Sequence, residues 1–563
     1  MEYQILTTPQ GEALSGTPWN TYPRPQLRRD SFLCLNGPWD FAVGKQDFCR
    51  TIQVPFCPES RLSGIEEHFP EGRPLRYRRR FTLPEGFNKG RGLLHIGAAD
   101  QHLVCRVNDR PVGKHSGGYE AMTFDITDAL ADENEIVIVC RDDLKDKSQP
   151  YGKQTLRRGG MWYTPVSGIW QSVWLESVPD RYIRDLRIEN HGTAVTISID
   201  PPMDGTVTVL ALGEYPLADG KVTIQPEQPH LWSPEDPHLY DFTVRAGDDL
   251  VDSYFALRKL SVETVGGYRR LCLNGKPYFF HGLLDQGYWP DGLFTPAAPE
   301  CYTEDILAMK RLGFNTLRKH IKVEPEEFYY QCDRLGMVVF QDMVNNGDYD
   351  FLRDTALPTA GIQTLNDKRL HSDPHTRHEF LRQMEATVRQ LRNHPSILYW
   401  TIFNEGWGQF DSDNVYHHLK ALDDSRWIDS TSGWFRRKES DVDSRHVYFK
   451  PIRLKAGDKP LVLSEFGGYS YKPEGHVFNT EKTYGYAKYS DPEDFRQAVE
   501  QLYREQVIPA VKNGLCAAIY TQVSDVEDET NGLLSYDRKV EKLSPTQMQP
   551  IAEALQEALQ TEG

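Results

Sequence analysis

The sequence predicts a multidomain chain, two β-sandwiches followed by a C-terminal (β/α)8 barrel, and three observations predict it. Up to about residue 260, short apolar runs alternate with turn signals and no convincing long amphipathic helix interrupts them. After Gly266-Gly267 the rhythm becomes strand, helix, strand, with eight strand candidates. At 563 residues the chain is also too long for one ordinary core.

Residues 1–180 are expected to form the first sandwich. Runs such as Leu93-Leu94-His95-Ile96, Leu103 to Val107 and Glu135 to Val139 are divided by Asn108-Asp109-Arg110-Pro111 and Ser116-Gly117-Gly118. Residues 181–262 carry a smaller set, including Ala194 to Ile199 and Gly205 to Leu210, the size of an immunoglobulin-like sandwich. Residues 263–563 supply the barrel. Its strands are expected at Phe279 to Leu284, Phe314 to Lys319, Met337 to Asp342, Ile397 to Asn404, Trp427 to Ser430, His446 to Phe449, Leu461 to Glu465 and Ala517 to Gln522. Helices fit between them, such as Thr303 to Leu312, capped by Thr303 and stopped by Gly313, and Pro325 to Leu335, followed by Gly336. Residues 343–376 read as a long insertion on the substrate side.

Composition narrows the function. The net charge of −17 disfavours nucleic acid and anionic membranes as partners. No apolar run is long enough to span a membrane. The start, Met1-Glu2-Tyr3-Gln4-Ile5, lacks a signal peptide's basic and apolar segments, so a cytoplasmic location is expected. Nine cysteines without CxxC or zinc-like spacing argue against a disulfide framework. A neutral or locally handled substrate fits these limits, and a homo-oligomer is compatible with them.

Glu405 and Glu465 carry the functional reading. Each closes a short apolar run, Ser396 to Phe403 before Asn404 and Pro460 to Ser464, of the kind that forms a strand buried on both faces. The C-terminal ends of barrel strands are where such folds place their chemistry. Two carboxylates there, on the fourth and seventh strands, suit glycoside cleavage. A single strand-end glutamate is usually solvated or paired; the pair is the signal.

With three domains in this order and these two glutamates, the chain resembles glycoside hydrolase family 2, which includes β-galactosidases, β-glucuronidases and β-mannosidases. Leu35-Asn36-Gly37-Pro38-Trp39-Asp40-Phe41 looks like the opening of that family's sugar-binding jelly roll, and Gly168 to Glu176 like its close. Asn393 to Glu405 resembles the acid/base signature, and Ser464-Glu465-Phe466-Gly467-Gly468 the nucleophile strand. The resemblance implies retaining hydrolysis with Glu465 as nucleophile and Glu405 as acid, then base, their carboxyls ~5 to 5.5 Å apart. It implies that Asn404 binds the sugar 2-hydroxyl, that Arg318 lies beside the nucleophile, and that Tyr448 hydrogen-bonds it. Asp342, Asp285 and His281 are candidates for sugar hydroxyls, and Trp407, Trp434 and Trp289 for stacking on a sugar face. No metal or other cofactor is expected, since two carboxylates suffice.

Departures from the family bear on the sugar. Leu284-Asp285-Gln286-Gly287 replaces an Asn-Arg-His-Glu stretch, and Arg318-Lys319-His320-Ile321-Lys322 replaces Arg-x-Ser-His-x-Pro. The Asn-x-Lys with which glucuronidases of the family hold a sugar carboxylate is reduced to Asn531-Gly532-Leu533. Acids after the eighth strand, Asp525 foremost, offer acceptors for a neutral sugar, so a β-galactoside is the leading expectation. A β-glucuronide or β-galacturonide is the alternative, held by Arg436, Arg437, Lys450 or Arg453. A non-catalytic carbohydrate-binding protein is the reading from another class, and both glutamates are present against it.

Overall fold

The computed structural model describes residues 3–359, 362, 366–435 and 437–560. Its first sandwich pairs a six-stranded antiparallel sheet with a four-stranded one. In Asn134–Arg141 every second side chain is buried, and Ile136, Ile138 and Cys140 join Trp39, Phe41 and Tyr77 in one core. The second sandwich, from Asp185 to Phe255, packs three strands on four around Ile197, Val207 and Val244. Arg258, just after it, donates to the carbonyls of Pro395 (2.6 Å) and Ile397 (3.1 Å), and Asn393 Oδ1 accepts from Ile188 N at 2.9 Å. The second sandwich therefore braces the entrance to the fourth barrel strand.

The barrel comprises β1 (Phe280–Asp285), β2 (Thr316–Lys319), β3 (Val338–Asp342), β4 (Ile397–Asn404), β5 (Trp427–Ser432), β6 (Asp443–Val447), β7 (Leu461–Gly467) and β8 (Leu515–Thr521). Seven parallel pairings run in the order β5-β4-β3-β2-β1-β8-β7-β6. The seam between β5 and β6 is stitched from the incoming loop, where Asp441 N donates to Ile428 O at 2.9 Å and Asp441 Oδ2 accepts from Ile428 N at 2.9 Å. Phe280, Leu284, Phe340, Tyr399 and Ile519 share one cluster, joined by Leu271 and Leu273 of the preceding hairpin. The alternate set, including Leu283, Leu317 and Leu463, packs with the helices.

Most expected strand bounds move by one or two residues, and two expected starts move by three. The first barrel helix, α1, is Glu300–Arg311 with Pro299 before it, so Thr303 lies inside it and caps nothing. Pro299 sets a helical φ of −55° and Glu300 favours the positive helix end, which together start the helix a turn earlier. β6 begins at Asp443 rather than His446, because Asp443, Ser444 and Arg445 pair with Leu461, Val462 and Leu463 despite their polarity. The helix after β2, α2 (Glu326–Leu335), ends on Gly336 at φ +71° as its sequence predicts. All nine cysteines are free. Among the described residues no helix is long and apolar enough to cross a membrane.

Candidate active site

β7 is irregular where its chemistry lies. Leu463 and Phe466 both belong to the helix-side cluster, and the pairing slips register between them. The bulge turns Glu465 into the barrel mouth, which an unbroken alternation would not do for both Ser464 and Glu465. There Arg318 Nη1 donates to Oε1 at 3.0 Å and Tyr448 OH donates to Oε2 at 2.8 Å. Tyr448 is itself held by stacking on Tyr486, with ring centroids 3.7 Å apart. Burial pushes the Glu465 carboxyl above the usual range; Glu405 adds to the push, while His446, Arg318 and Lys153 oppose it.

Glu405 follows β4 in the left-handed region at φ +54°, a conformation that costs a β-carbon residue about 1–3 kcal/mol. It is held there by Glu405 N donating to Ser432 O at 3.2 Å. Its side chain is one-fifth exposed, and burial raises its carboxyl to about 7 against the opposing charges of Lys153 and Arg318. Glu405, Glu465 and His446 each present a ligand atom, and these lie within 4.8 Å of one another. One oxygen of each carboxyl thus lies within 4.8 Å of the other, closer than the ~6.5–9.5 Å at which an inverting pair holds its water.

His446 Nδ1 sits 2.7 Å from Glu405 Oε1 and 3.4 Å from Glu465 Oε2. Burial lowers this imidazole to about 4, so it is neutral near pH 7. Arg318 Nη1 faces Nε2 at 3.4 Å, which assigns the ring proton to Nδ1 and makes it a donor to Glu405 Oε1. Oε2 of Glu405 is left to carry the carboxyl proton. The same three groups have metal-site spacing, but a divalent cation there would displace that proton and occupy Glu465.

Arg318 is the hub. Its Nε donates to Asp342 Oδ1 at 3.0 Å, and Nη2 donates to Asn404 Oδ1 at 2.9 Å and Ser432 Oγ at 3.1 Å. Asp342 Oδ2 is held by His320 Nδ1 at 2.7 Å, so both oxygens of Asp342 are engaged and it orients Arg318 rather than reaching a sugar. Asn404 Oδ1 also accepts from Ser432 Oγ at 2.7 Å, leaving its amide N–H groups to donate to a substrate hydroxyl.

Several expected contacts fall elsewhere. His281 points outward from β1, its ring 4.1 Å from that of Phe314 and Nδ1 3.0 Å from Gly313 O. Asp285 shares that face and accepts from Lys319 Nζ at 2.6 Å. A doubly buried strand gives no sequence cue to which parity faces inward. Asp525 receives Lys542 Nζ at 2.6 and 2.9 Å, a buried ion pair in place of a sugar acceptor. Trp407 is buried and makes edge-type contacts with Trp162, Tyr349 and Tyr151, at ring-centroid distances of 4.7, 5.7 and 5.9 Å. Trp289 lies under the Arg538 guanidinium, 4.0 Å from its ring centre, inside the core. Trp434 does approach the site, edge-on to His446 at 5.5 Å, and is half-buried. Of the basic loop, Arg437 meets Asp367 at 3.2 Å, Lys450 and Arg453 are exposed, and Arg436 lies outside the described residues.

Comparison with known proteins identifies the family. Residues 267–543 match the family model described as glycosyl hydrolases family 2, TIM barrel domain, and residues 185–258 match glycosyl hydrolases family 2. The chain belongs to glycoside hydrolase family 2. A β-galactosidase of Aeromonas hydrophila subsp. hydrophila is 28% identical over 460 residues, 70% of this chain but 42% of its own length. The chain thus spans about two-fifths of the length of such curated β-galactosidases. A β-glucuronidase of Pongo abelii is 26% identical over 467 residues, 69% of this chain and 68% of that one. Among solved structures, an uncultured Clostridium sp. β-glucuronidase superposes with a TM-score of 0.73 at 17% identity, covering 94% of this chain and 99% of its own. A β-galacturonidase of Eisenbergiella tayi bound to galacturonate gives 0.68 at 17% identity, covering 96% and 99%.

Within this family 2 chain, sequence reading passed over His446, Ser432 and Thr521, whose Oγ1 lies 2.7 Å from Tyr448 OH. Each sits at or near a strand's C-terminal end, so position was the one available signal. Lys153 was also missed. It belongs to the first sandwich, and no barrel pattern could have placed it at the site.

Proposed function

We propose that this chain is a retaining exo-β-glycosidase. The observation that carries the reading is the close pair of carboxyls, of which Glu465 and not Glu405 receives hydrogen bonds from Arg318 and Tyr448. Those two donors favour ionised Glu465, while burial keeps Glu405 protonated near neutrality. In the first step a Glu465 oxygen attacks the anomeric carbon, the glycosidic C–O bond breaks, and Glu405 gives its proton to the departing oxygen. In the second step Glu405 takes a proton from water, whose oxygen attacks the anomeric carbon and releases Glu465. Asn404 anchors the 2-hydroxyl, where transition-state hydrogen bonds strengthen.

Two readings of the sugar stand. The β-galactoside reading is supported by curated relatives with that name, yet its argument from the acids after β8 weakens because Asp525 is bound to Lys542. The hexuronide reading is supported by solved relatives of similar length and by one unclaimed cation, taken up below. The shared mechanism is tested by proton NMR of the first sugar released from aryl β-glycosides. The β-anomer should appear first; initial release of the α-anomer would mean inversion and end this proposal.

A further inference from the structure

The first sandwich does not stop at its own surface. Its segment from Ser148 to Thr164 lies across the ends of several barrel strands. Tyr151 N donates to Asn345 O at 3.2 Å and Tyr151 OH to Gly347 O at 2.8 Å, both beyond β3. Trp407 Nε1, beyond β4, donates to Tyr151 OH at 3.3 Å. Gly152, at φ +62°, runs so close to Ile321 beyond β2 that an added β-carbon would meet its carbonyl oxygen at 2.9 Å. At the far end Thr164 N donates to Glu527 Oε1 at 3.0 Å, and Tyr163 OH is hydrogen-bonded to Glu529, both beyond β8.

Lys153 is pinned inside this crossing. It follows Gly152, and its carbonyl accepts from Tyr163 N at 3.0 Å. Its side chain is half-buried, yet its ammonium makes no hydrogen bond or ion pair with any described residue. It nevertheless lies within electrostatic reach of Glu405, Glu465, His446 and Glu529, lowering the pKa of each. The neighbouring cations are committed. Arg318 holds Glu465 and Asp342; Lys319 holds Asp285 and Glu324; Lys322 holds Glu324; Arg158 lies 3.4 Å from Glu527; and Lys542 holds Asp525. The acids after β8 are likewise taken up by the crossing segment and by Lys542, which leaves Lys153, among the described residues in reach of the two glutamates, as a charge that a substrate can meet.

A half-buried ammonium loses its water when a sugar fills the pocket, a cost that a paired anion recovers more fully than a neutral hydroxyl does. We propose that Lys153, carried into the barrel mouth by the first sandwich, receives a carboxylate on the glycone, so that the chain acts on β-linked hexuronides. The inference rests on the retaining-glycosidase reading. It also makes the two domains one active site, with the barrel supplying the chemistry and the sandwich the selectivity.

The test compares kcat/KM for p-nitrophenyl β-glucuronide and β-galacturonide with the β-glucoside and β-galactoside, in the wild type, Lys153→Met and Lys153→Arg. In the wild type one hexuronide should exceed its neutral counterpart by about 10²-fold or more. Lys153→Met should collapse that ratio about 10²-fold, and Lys153→Arg should restore most of it. Labelling of Glu465 by a 2-fluoro glycosyl fluoride checks that the machinery of each variant is intact. Should Lys153→Met fail to fold, the wild type still answers, because KM for the hexuronide alone should rise with salt. A neutral sugar preferred by the wild type, an unchanged ratio in a labelled Lys153→Met, or a salt-independent KM would each overturn the inference and leave retention standing. Absence of both turnover and label would instead bring down the glycosidase reading itself.

Discussion

Glu405 and Glu465 have the same side chain and opposite surroundings. Glu465 lies on a bulge inside β7 and receives two direct donors, a guanidinium at 3.0 Å and a phenol at 2.8 Å. Glu405 stands one residue past β4 with a neutral imidazole as its nearest partner at 2.7 Å. The direct cation, more than burial, separates the roles, since burial raises both carboxyls. One glutamate is furnished to stay ionised and the other to hold a proton.

That difference is open to attack at each end. The largest effect belongs to Glu465→Gln, which should cut turnover of every aryl glycoside by about 10⁴-fold or more, because no glycosyl-enzyme can form. Glu405→Ala should instead spare the first step for good leaving groups and lose about 10²- to 10⁴-fold on poor ones, with azide restoring release of the trapped sugar. Indistinguishable behaviour of the two variants would erase the contrast drawn here.

A smaller and sharper effect lies in the pH profile. The acid form of Glu405 is needed, and its carboxyl titrates at about 7, so kcat/KM should fall as pH rises through about 7. Glu465 must be ionised, and its raised pKa puts the acidic limb above the usual carboxylate value. Glu405→Gln should remove the alkaline limb while lowering activity; persistence of that limb would assign it to another group. The smallest effect is on stability. A raised folded pKa favours folding below the unfolded value of about 4.5 and loses that advantage as pH rises through about 7. Glu405→Gln should therefore raise Tm by a few degrees at pH 8, on the order of 1–3 kcal/mol, and by less at pH 4. Equal shifts at both pH values would contradict the buried-acid account.

Much of this architecture was legible because barrel strands are short apolar runs between turn signals, and β1, β3, β4, β7 and β8 stand out on those grounds. β6 was misplaced at its start because its polar first half is buried by pairing with β7, an effect of tertiary context. Glu405, Glu465, Arg318 and Asn404 were legible as strand-end polar residues. His281 and Asp285 occupy a strand buried on both faces, where alternation alone does not say which face lines the mouth. The acids after β8 looked like sugar acceptors, yet they bind Lys542 and a loop from a domain far away in sequence. Lys153 is the converse case, a site residue whose only local sign is the Gly152 beside it.

The central claim is that Glu465 becomes covalently bonded to the sugar. Incubating the protein with 2-deoxy-2-fluoro glycosyl fluorides and mapping the modified peptide by mass spectrometry reads this directly. A stoichiometric label on Glu465 that is released on turnover is expected; a label on Glu405, or steady hydrolysis with no glycosyl-enzyme at any residue, would contradict a covalent role for Glu465.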